Sequence, residues 1–332
     1  MGVAAVIVSD ATDVDLVKRA LESVLYQTCP VDEIVIVEAK RRVTNDLEEM
    51  IGMVGSNIIL DHFHCYNASM ARNHGARLCT SEFICFLDGD DEWSPHMIAD
   101  RMELIRDDVC LITSKYAVMT DLKGTLRRFM PSEPIGRELY GRNTIGSNSY
   151  AMMRRDLFLK LGGFDPELVY HQDWDLWIRL LNHGKVAISS SLGGIKYYNQ
   201  FSASRNLSVC REGWVRFAKK WAHIYHHDSL LADSFVELCD ADMYRFGESV
   251  RVFGTPLGRF CRKILCRSSF WTTPHLCWSH MERDLVIGLD EATHMKVMCR
   301  TEKRMEFRRS SITYPFYPLF KNKRIRCSVG RA

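Results

Sequence analysis

Four acidic side chains directly follow an apolar run and are the residues best suited to bind a cation. Residues 83–87 read FICFL and residues 88–92 read DGDDE. Carboxylates this close repel one another unless positive charge lies beside them. A Mg²⁺ or Mn²⁺ ion held by one or two carboxylates and by phosphate oxygens supplies that charge, and Gly89 leaves room for a phosphate. From these residues alone, a solvated acidic turn capping the next helix is the alternative.

Short β-branched runs alternate with helical patterns over the first 120 residues. Continuous apolar character predicts buried strands, and apolar residues at helical spacing predict helices. The predicted strands are residues 3–8, 33–37, 57–60 and 82–87. The predicted helices are residues 13–27, residues 67–78 capped by Asn67, and one opened by Ser94 and Pro95. This repetition predicts an α/β fold, a mostly parallel sheet with helices on both faces, whose ligands bind beyond the carboxyl ends of the strands.

Charge divides the chain into two parts. Residues 1–200 carry 21 Lys and Arg against 28 Asp and Glu, whereas residues 201–332 carry 23 against 13. We therefore expect two parts, a domain over residues 1–205 that holds the acidic cluster and a basic, mainly helical C-terminal region over 206–332, with helices near 214–227 and 229–246 and an extended tail after residue 310.

The basic C-terminal region contains two clusters that mix Lys and Arg with apolar residues, at 258–267 and 321–326. Such clusters suit peripheral contact with anionic lipid; a solvated face, or one packed on the acidic half, is the alternative. No nucleic-acid recognition motif accompanies the charge. The sequence shows no signal peptide and no apolar run of roughly 18 residues, and its 12 cysteines form no C-x-x-C pair. We therefore expect a cytoplasmic protein, peripheral on a membrane if the basic clusters bind lipid.

Several longer segments carry a family resemblance. They are residues 19–28 (RALESVLYQT), 67–76 (NASMARNHGA), 81–91 (SEFICFLDGDD), 161–166 (LGGFDP) and 172–180 (QDWDLWIRL). In this order and spacing they resemble the family-2 glycosyltransferases with the GT-A fold, a Rossmann-like mixed sheet. The likeness covers roughly residues 3–204, and the region after residue 206 resembles no family.

The resemblance implies a metal-dependent, inverting transfer of a sugar from a nucleoside-diphosphate sugar to a hydroxyl of a glycan, polysaccharide or lipid-linked acceptor. Asp88 matches an acid that contacts the donor ribose and the shell of the metal. Asp90 matches the acid that binds Mn²⁺ or Mg²⁺ directly. Arg72 matches a residue near the base and phosphates of the donor.

On the acceptor side, the resemblance makes Asp173 the general base that takes the proton from the attacking hydroxyl. One base and in-line attack give inversion at the anomeric carbon. Trp174 and Asp175 adjoin it and, with Asp91, are predicted to shape the acceptor side. Without the surrounding motif, Asp173 also fits a helix N-terminal acid that stabilises the helix dipole.

The sequence departs from the family after the first two strands. Ser9 and Asp10 replace the usual Pro-Thr, and Glu38 and Ala39 replace two adjacent Asp, the second of which reads the nucleobase. We therefore expect Ser9, Asp10 and Glu38 to contact the donor, with UDP-, dTDP- and GDP-sugars all compatible. Residues 197–204 lack the His often found there, so no His metal ligand is expected from that loop.

Two other classes of function compete with the transferase. A non-catalytic nucleotide-sugar- or glycan-binding descendant, acting as an assembly partner, is motivated by Ala39 and by Gln172 in place of the usual Glu. A nucleotidyltransferase is disfavoured because no Gly-rich, basic loop follows the first strand.

Overall fold

The computed structural model describes residues 1–9, 13–39, 48–49, 51–52, 58–120, 125–129, 131, 135–198, 206–244, 251–252 and 255–256. Asp10, both basic clusters and the predicted C-terminal tail lie outside these residues. Their predicted roles, and the division into domains near residue 205, stay predictions.

A nine-stranded mixed sheet forms the centre of the described chain. Its strands are β1 Val3–Ser9, β2 Glu33–Glu38, β3 Ile58–His62, β4 Phe83–Asp88, β5 Glu92–Trp93, β6 Val109–Thr120, β7 Thr125–Phe129, β8 Met152–Arg154 and β9 Lys185–Tyr198. They lie in the order β3-β2-β1-β4-β8-β6-β9-β5, and β7 pairs with β6. The strands from β3 to β4 in this order are parallel, as are β6 and β9, which confirms the predicted type of sheet.

The order of the strands fixes where a ligand can bind. β1 lies between β2 and β4, so the chain winds outward in both directions from β1. Ligands of open α/β sheets bind at such a point, beyond the carboxyl ends of the strands. Ser9 ends β1 and Asp88 ends β4, with Val8 in register with Asp88. The acidic segment 88–92 therefore leaves the sheet at the expected place.

The main α-helices of the described residues are α1 Val14–Leu25, α2 Ala68–Leu78, α3 Met97–Met102, α4 Glu138–Gly141, α5 Arg155–Lys160, α6 Gln172–Leu180, α7 Leu207–Tyr225 and α8 Ser229–Tyr244. The Asn67 side chain accepts a hydrogen bond from the Met70 amide at 3.0 Å, which confirms Asn67 as the cap of α2. The helices predicted near 13–27, 214–227 and 229–246 are also present, with α7 starting seven residues earlier than predicted.

The helix predicted to start at Ser94 begins later, at Met97, and that prediction is wrong in detail. The Ser94 amide instead donates to the Gly193 carbonyl at 2.9 Å, which continues the pairing of β5 with β9. The Ser94 carbonyl accepts from the Gln27 side chain at 2.7 Å. Sheet pairing therefore holds Ser94, and His96 occupies the N-cap position without a side-chain cap.

Helices cover both faces of the sheet, as predicted. Alternate residues of β1 point to opposite sides: Val6 belongs to one apolar cluster and Ile7 to the other. The cluster of Val6 also contains residues of α2, α6, α7 and α8, and that of Ile7 contains residues of α1 and α3. The first two C-terminal helices thus share a core with the sheet. Within the described residues, no helix is both long and apolar enough to cross a bilayer.

Candidate active site

The turn after β4 is built against the end of β1. The Gly89 amide donates to the Val8 carbonyl at 2.8 Å, and a Cβ at Gly89 would lie 3.1 Å from that oxygen. The Asp91 amide donates to the Asp88 carbonyl at 2.9 Å and closes the turn. A Cβ at position 89 would be in tighter contact than usual with the end of β1, so the close approach of the turn favours glycine there.

Asp88 is held as an anion by two cations from distant parts of the chain. Arg72, on α2, donates to Asp88 Oδ1, and Lys196 Nζ, on β9, lies 3.6 Å from Oδ2. Asn148 adds a hydrogen bond of 3.3 Å to Oδ1. Burial raises the pKa of Asp88, but Arg72 and Lys196 outweigh it and hold that pKa well below its usual range.

Asp91 is fully buried and is held by the same lysine. Its Oδ2 lies 3.2 Å from Lys196 Nζ and accepts from Ser149 Oγ at 2.7 Å, while its Oδ1 accepts from the Tyr197 amide at 3.0 Å. Burial raises the pKa of Asp91 to about 7 even though Lys196 lowers it. The predicted role of Asp91 on the acceptor side does not fit this geometry, because its carboxylate is enclosed by protein groups.

Asp90 and Glu92 face a second arginine, Arg19 of α1. Arg19 donates to the Asp90 carbonyl oxygen, its Nε lies 3.6 Å from Glu92 Oε2, and its guanidinium carbon lies 3.7 Å from the centre of the Tyr197 ring. Burial and the neighbouring Asp88 raise the pKa of Asp90, against the opposing effect of Lys196. The Asp90 side chain is half-buried. A cation that binds together with a ligand would therefore reduce the electrostatic cost of keeping a negative charge on this carboxylate.

The residues fit a metal ion that is bound together with a diphosphate. The described part of the chain has no group of three His, Cys, Asp or Glu side chains placed to hold a metal. Mg²⁺ or Mn²⁺ in a phosphate site needs only one or two carboxylates, since phosphate oxygens and water complete its shell. Asp90, with Asp88 beside it, supplies that donor set, and metal binding there stays a prediction.

Asp173 lies near this cluster, at the start of α6. Burial raises its pKa to about 6, and its own backbone neighbour, the Trp174 amide, donates to Oδ1 at 2.7 Å and lowers it. Arg72 and Lys196 also lower this pKa, whereas Asp88 raises it. The carboxylate of Asp173 is therefore within electrostatic reach of the groups that surround Asp88, as the predicted arrangement requires.

Trp174 and Asp175 do not lie on an acceptor side, and we correct that assignment. Both are fully buried. The Trp174 indole donates to the Leu139 carbonyl at 2.5 Å. Asp175 pairs with Arg179 at 2.8 Å and with Lys220 at 2.7 Å. These two side chains fasten α6 to its neighbours rather than facing a ligand.

The predicted donor residues occupy the ends of adjacent strands. Ser9 is buried, and its carbonyl accepts from the Ala39 amide at 2.8 Å. Glu38 ends β2, is 2% exposed and pairs with His62 of β3. Glu38 is thus in contact with a neighbouring strand at the sheet edge, and its contact with a nucleobase stays a prediction.

Sequence reasoning missed the two cations that organise the site, Lys196 and Arg19. Both adjoin segments that the sequence singled out, since Lys196 immediately precedes residues 197–204 and Arg19 opens residues 19–28. A lysine near the end of a strand whose other residues after Lys185 are Ser, Gly, apolar or aromatic was the available signal. Asn148 and Ser149 carried none, because they lie in a 3-10 helix of only three residues, Asn148–Tyr150.

Comparison with known proteins identifies related chains. The family profile of glycosyl transferase family 2 matches residues 7–162. The amylovoran biosynthesis glycosyltransferase AmsB of Erwinia amylovora is 28% identical over 164 residues, which are 44% of this chain and 53% of that protein. The glucosyl-dolichyl phosphate glucuronosyltransferase of Haloferax volcanii is 25% identical over 159 residues, 44% of this chain and 50% of that protein. The chain thus spans about half the length of these relatives.

Solved structures of S. aureus TarS, residues 1–349, share the fold. The complex with UDP-GlcNAc superposes with a TM-score of 0.55 at 14% identity and covers 72% of both chains. The complex with UDP has a TM-score of 0.51 at 14% identity, covering 80% of this chain and 88% of that one. This likeness confirms the GT-A fold predicted from the sequence.

We predict that Lys196→Met lowers the free energy of unfolding by about 2–3 kcal/mol, because Asp88 and Asp91 lose a shared counter-charge in a buried place. Urea unfolding at pH 7.5 measures the change. Lys185→Met is the matched control on the same strand, because Lys185 is 78% exposed and pairs with exposed Asp108. Equal stability of the two variants would show that Lys196 does not neutralise the cluster.

Proposed function

We propose that this protein, whose residues 7–162 match glycosyl transferase family 2, transfers a sugar from a nucleoside-diphosphate sugar to a hydroxyl group, with inversion at the anomeric carbon. The observation that carries this proposal is the meeting of Asp88, Arg72 and Lys196 beyond the ends of β1 and β4, with Asp173 in electrostatic reach. This pairs a site for a diphosphate with a carboxylate that can accept a proton.

The donor side combines positively charged side chains with carboxylates. Arg72 and Lys196 supply positive charge for the diphosphate that leaves when the glycosidic bond to phosphate breaks. Asp90, with Asp88, would hold Mn²⁺ or Mg²⁺ against the diphosphate, and the ion would supply Lewis-acid stabilisation of the leaving group. The TarS complexes with UDP-GlcNAc and UDP support a nucleoside-diphosphate sugar as the donor.

Asp173 is the proposed general base. A base works best when its pKa is close to the pH of reaction, and burial brings the pKa of Asp173 to about 6. It takes the proton from the acceptor hydroxyl while the hydroxyl oxygen attacks the anomeric carbon and the diphosphate departs with its bonding electrons. No covalent enzyme intermediate forms, so one attack inverts the configuration.

The acceptor is proposed to be a growing glycan, as a polysaccharide or as a lipid-linked chain. The relatives named for amylovoran biosynthesis and for transfer to glucosyl-dolichyl phosphate support this class. Peripheral membrane contact through the basic C-terminal clusters would suit a lipid-linked acceptor, and vesicle co-sedimentation with and without anionic lipid tests that contact.

We predict that Asp173→Asn lowers kcat by roughly 1,000-fold, because an amide cannot accept the hydroxyl proton, while the affinity for nucleoside diphosphate stays unchanged. Product formation from a panel of nucleotide sugars and calorimetric titration with UDP measure the two quantities. Asp107→Asn, at a fully exposed site, is the control. An Asp173→Asn enzyme with normal turnover would falsify the proposed mechanism.

We predict that kcat falls about tenfold per pH unit below pH 6. The pKa of Asp173 is raised, so its carboxylate gains a proton as the pH drops through about 6 and can no longer act as a base. The charged or titratable groups that face it are Arg72, Lys196, Asp88 and Tyr116. A rate that stays flat between pH 7 and pH 5, with the fold intact by circular dichroism, would contradict this assignment.

We predict that EDTA abolishes turnover and that Mn²⁺ restores it. We expect Asp90→Asn to weaken Mn²⁺-dependent binding of UDP about tenfold, or about 1.4 kcal/mol, without changing binding in EDTA. Wild type and Asp90→Asn are each titrated with UDP in the presence of Mn²⁺ and in EDTA, which gives four dissociation constants to compare. Full activity in EDTA, or the same loss of UDP binding with and without Mn²⁺, would rule out a metal at Asp90.

A further inference from the structure

The backbone just before Asp173 adopts an unusual conformation. His171 has φ 64° and ψ 26°, and it is the one non-glycine residue with positive φ in the part of the chain that the structure describes. Residues with a Cβ rarely occupy this left-handed region, and they stay there when the surrounding packing demands it. The His171 carbonyl accepts the first helical hydrogen bond of α6, from Asp175 at 3.0 Å. The backbone conformation of His171 therefore sets the direction in which the chain enters α6 and its first residues, Asp173 among them.

Aromatic rings of α7 hold His171 in place. The centroid of the His171 ring lies 4.3 Å from that of Trp214 and 5.7 Å from that of Phe217, both on α7. Nearer in sequence, the centroid of the His171 ring lies 3.9 Å from that of Tyr170 and 5.3 Å from that of Trp174. The left-handed residue thus packs into an aromatic cluster that includes α7.

Gly213 lets α7 approach this turn closely. A Cβ built at Gly213 would lie 2.3 Å from the Cβ of Tyr170 and 3.2 Å from its Cα and N. The Tyr170 backbone borders the contact, so a side chain at 213 cannot be accommodated by a rotamer change alone. Helix α7 can pack this closely against the turn before Asp173 because residue 213 is a glycine.

The same helix also holds the residue two positions after Asp173. Lys220 pairs with Asp175 at 2.7 Å, and the Trp221 indole donates to Asp175 at 3.1 Å. Helix α7 therefore contacts the chain on both sides of Asp173, at 170–171 and at 175. These contacts come from residues 207–225, beyond the segment 7–162 that matches the family.

We propose that α7 positions the general base, with Gly213 and His171 as positioning residues that set the direction of the Asp173 carboxylate. The inference rests on the proposed function, because it takes Asp173 as the base. The first helix of the C-terminal region, α7, then contributes to catalysis by holding the segment that carries Asp173. Since displacement of a catalytic group by about 1 Å costs roughly 100-fold in rate, a small shift of α7 should affect kcat while the donor site stays intact.

The first experiment compares Gly213→Ala with Gly52→Ala in steady-state transfer assays on the full chain. An added Cβ at Gly52 meets no atom within 4 Å, so this variant controls for the change of residue type. We expect Gly213→Ala to lower kcat roughly 10- to 100-fold, with KM for the donor within about twofold of wild type. Alanine is the better helix former, so a loss must come from the contact with Tyr170. A wild-type kcat for Gly213→Ala would overturn the proposal.

Two variants at His171 separate the backbone conformation from the packing of the ring. His171→Asn and His171→Ala both remove the imidazole, but asparagine tolerates the left-handed region far better than alanine. We expect His171→Asn to retain a kcat roughly tenfold higher than His171→Ala, with thermal unfolding confirming that both fold. Equal kcat values for the two variants would contradict a role for the left-handed turn.

A double mutant decides whether Gly213 acts through Asp173. If it does, Gly213→Ala has no further effect on the residual rate of Asp173→Asn, because coupled residues are not additive. If Gly213→Ala slows Asp173→Asn by the same factor as wild type, the positioning role fails while the proposed function stands. If Asp173→Asn alone is fully active, the proposed function fails and the positioning role fails with it.

Discussion

The structure depends on neutralising the carboxylates that follow β4. Asp88 and Asp91 leave an apolar strand and are buried close together, which is unfavourable unless cations accompany them. Lys196 faces both, at 3.6 and 3.2 Å, and Arg72 adds a contact to Asp88. These cations come from β9 and α2, so the acidic turn can form only when the sheet and its covering helix have assembled.

This constraint explains which parts of the site the sequence predicts. The acidic turn, the Asn67 cap and the strand β4 are local, because an apolar run, a capping residue and a glycine specify them within a few positions. Lys196 is 105 residues from Asp91, and it reaches the turn through pairing of β9 with β6 and β5. No local pattern encodes such non-local pairing, and β9 also contains several Ser and Gly residues that weaken a strand signal.

The errors on the acceptor side follow from helix geometry. Successive residues of an α-helix point about 100° apart, so neighbours of Asp173 in sequence face other directions. Trp174 points into the aromatic cluster with Phe217, 4.4 Å between ring centroids. Asp175 meets Lys220 and Arg179. A motif of adjacent residues therefore contains the proposed base, Asp173, and two residues that serve packing, and the position of α7 distinguishes them.

Two aspartates in one site acquire different proton affinities from their neighbours. Two cations and Asn148 surround Asp88, so its pKa falls despite burial. Asp173 is half-buried and no cation lies in direct contact with it among the described ion pairs, so partial removal from water raises its pKa to about 6. Environments that push the pKa values of like groups apart separate their roles: Asp88 stays anionic, and Asp173, the proposed base, is able to take up a proton. The difference arises because Arg72 and Lys196 face Asp88 directly and Asp173 only at a distance, so the assembly of the sheet with its helices determines which carboxylate has the higher pKa.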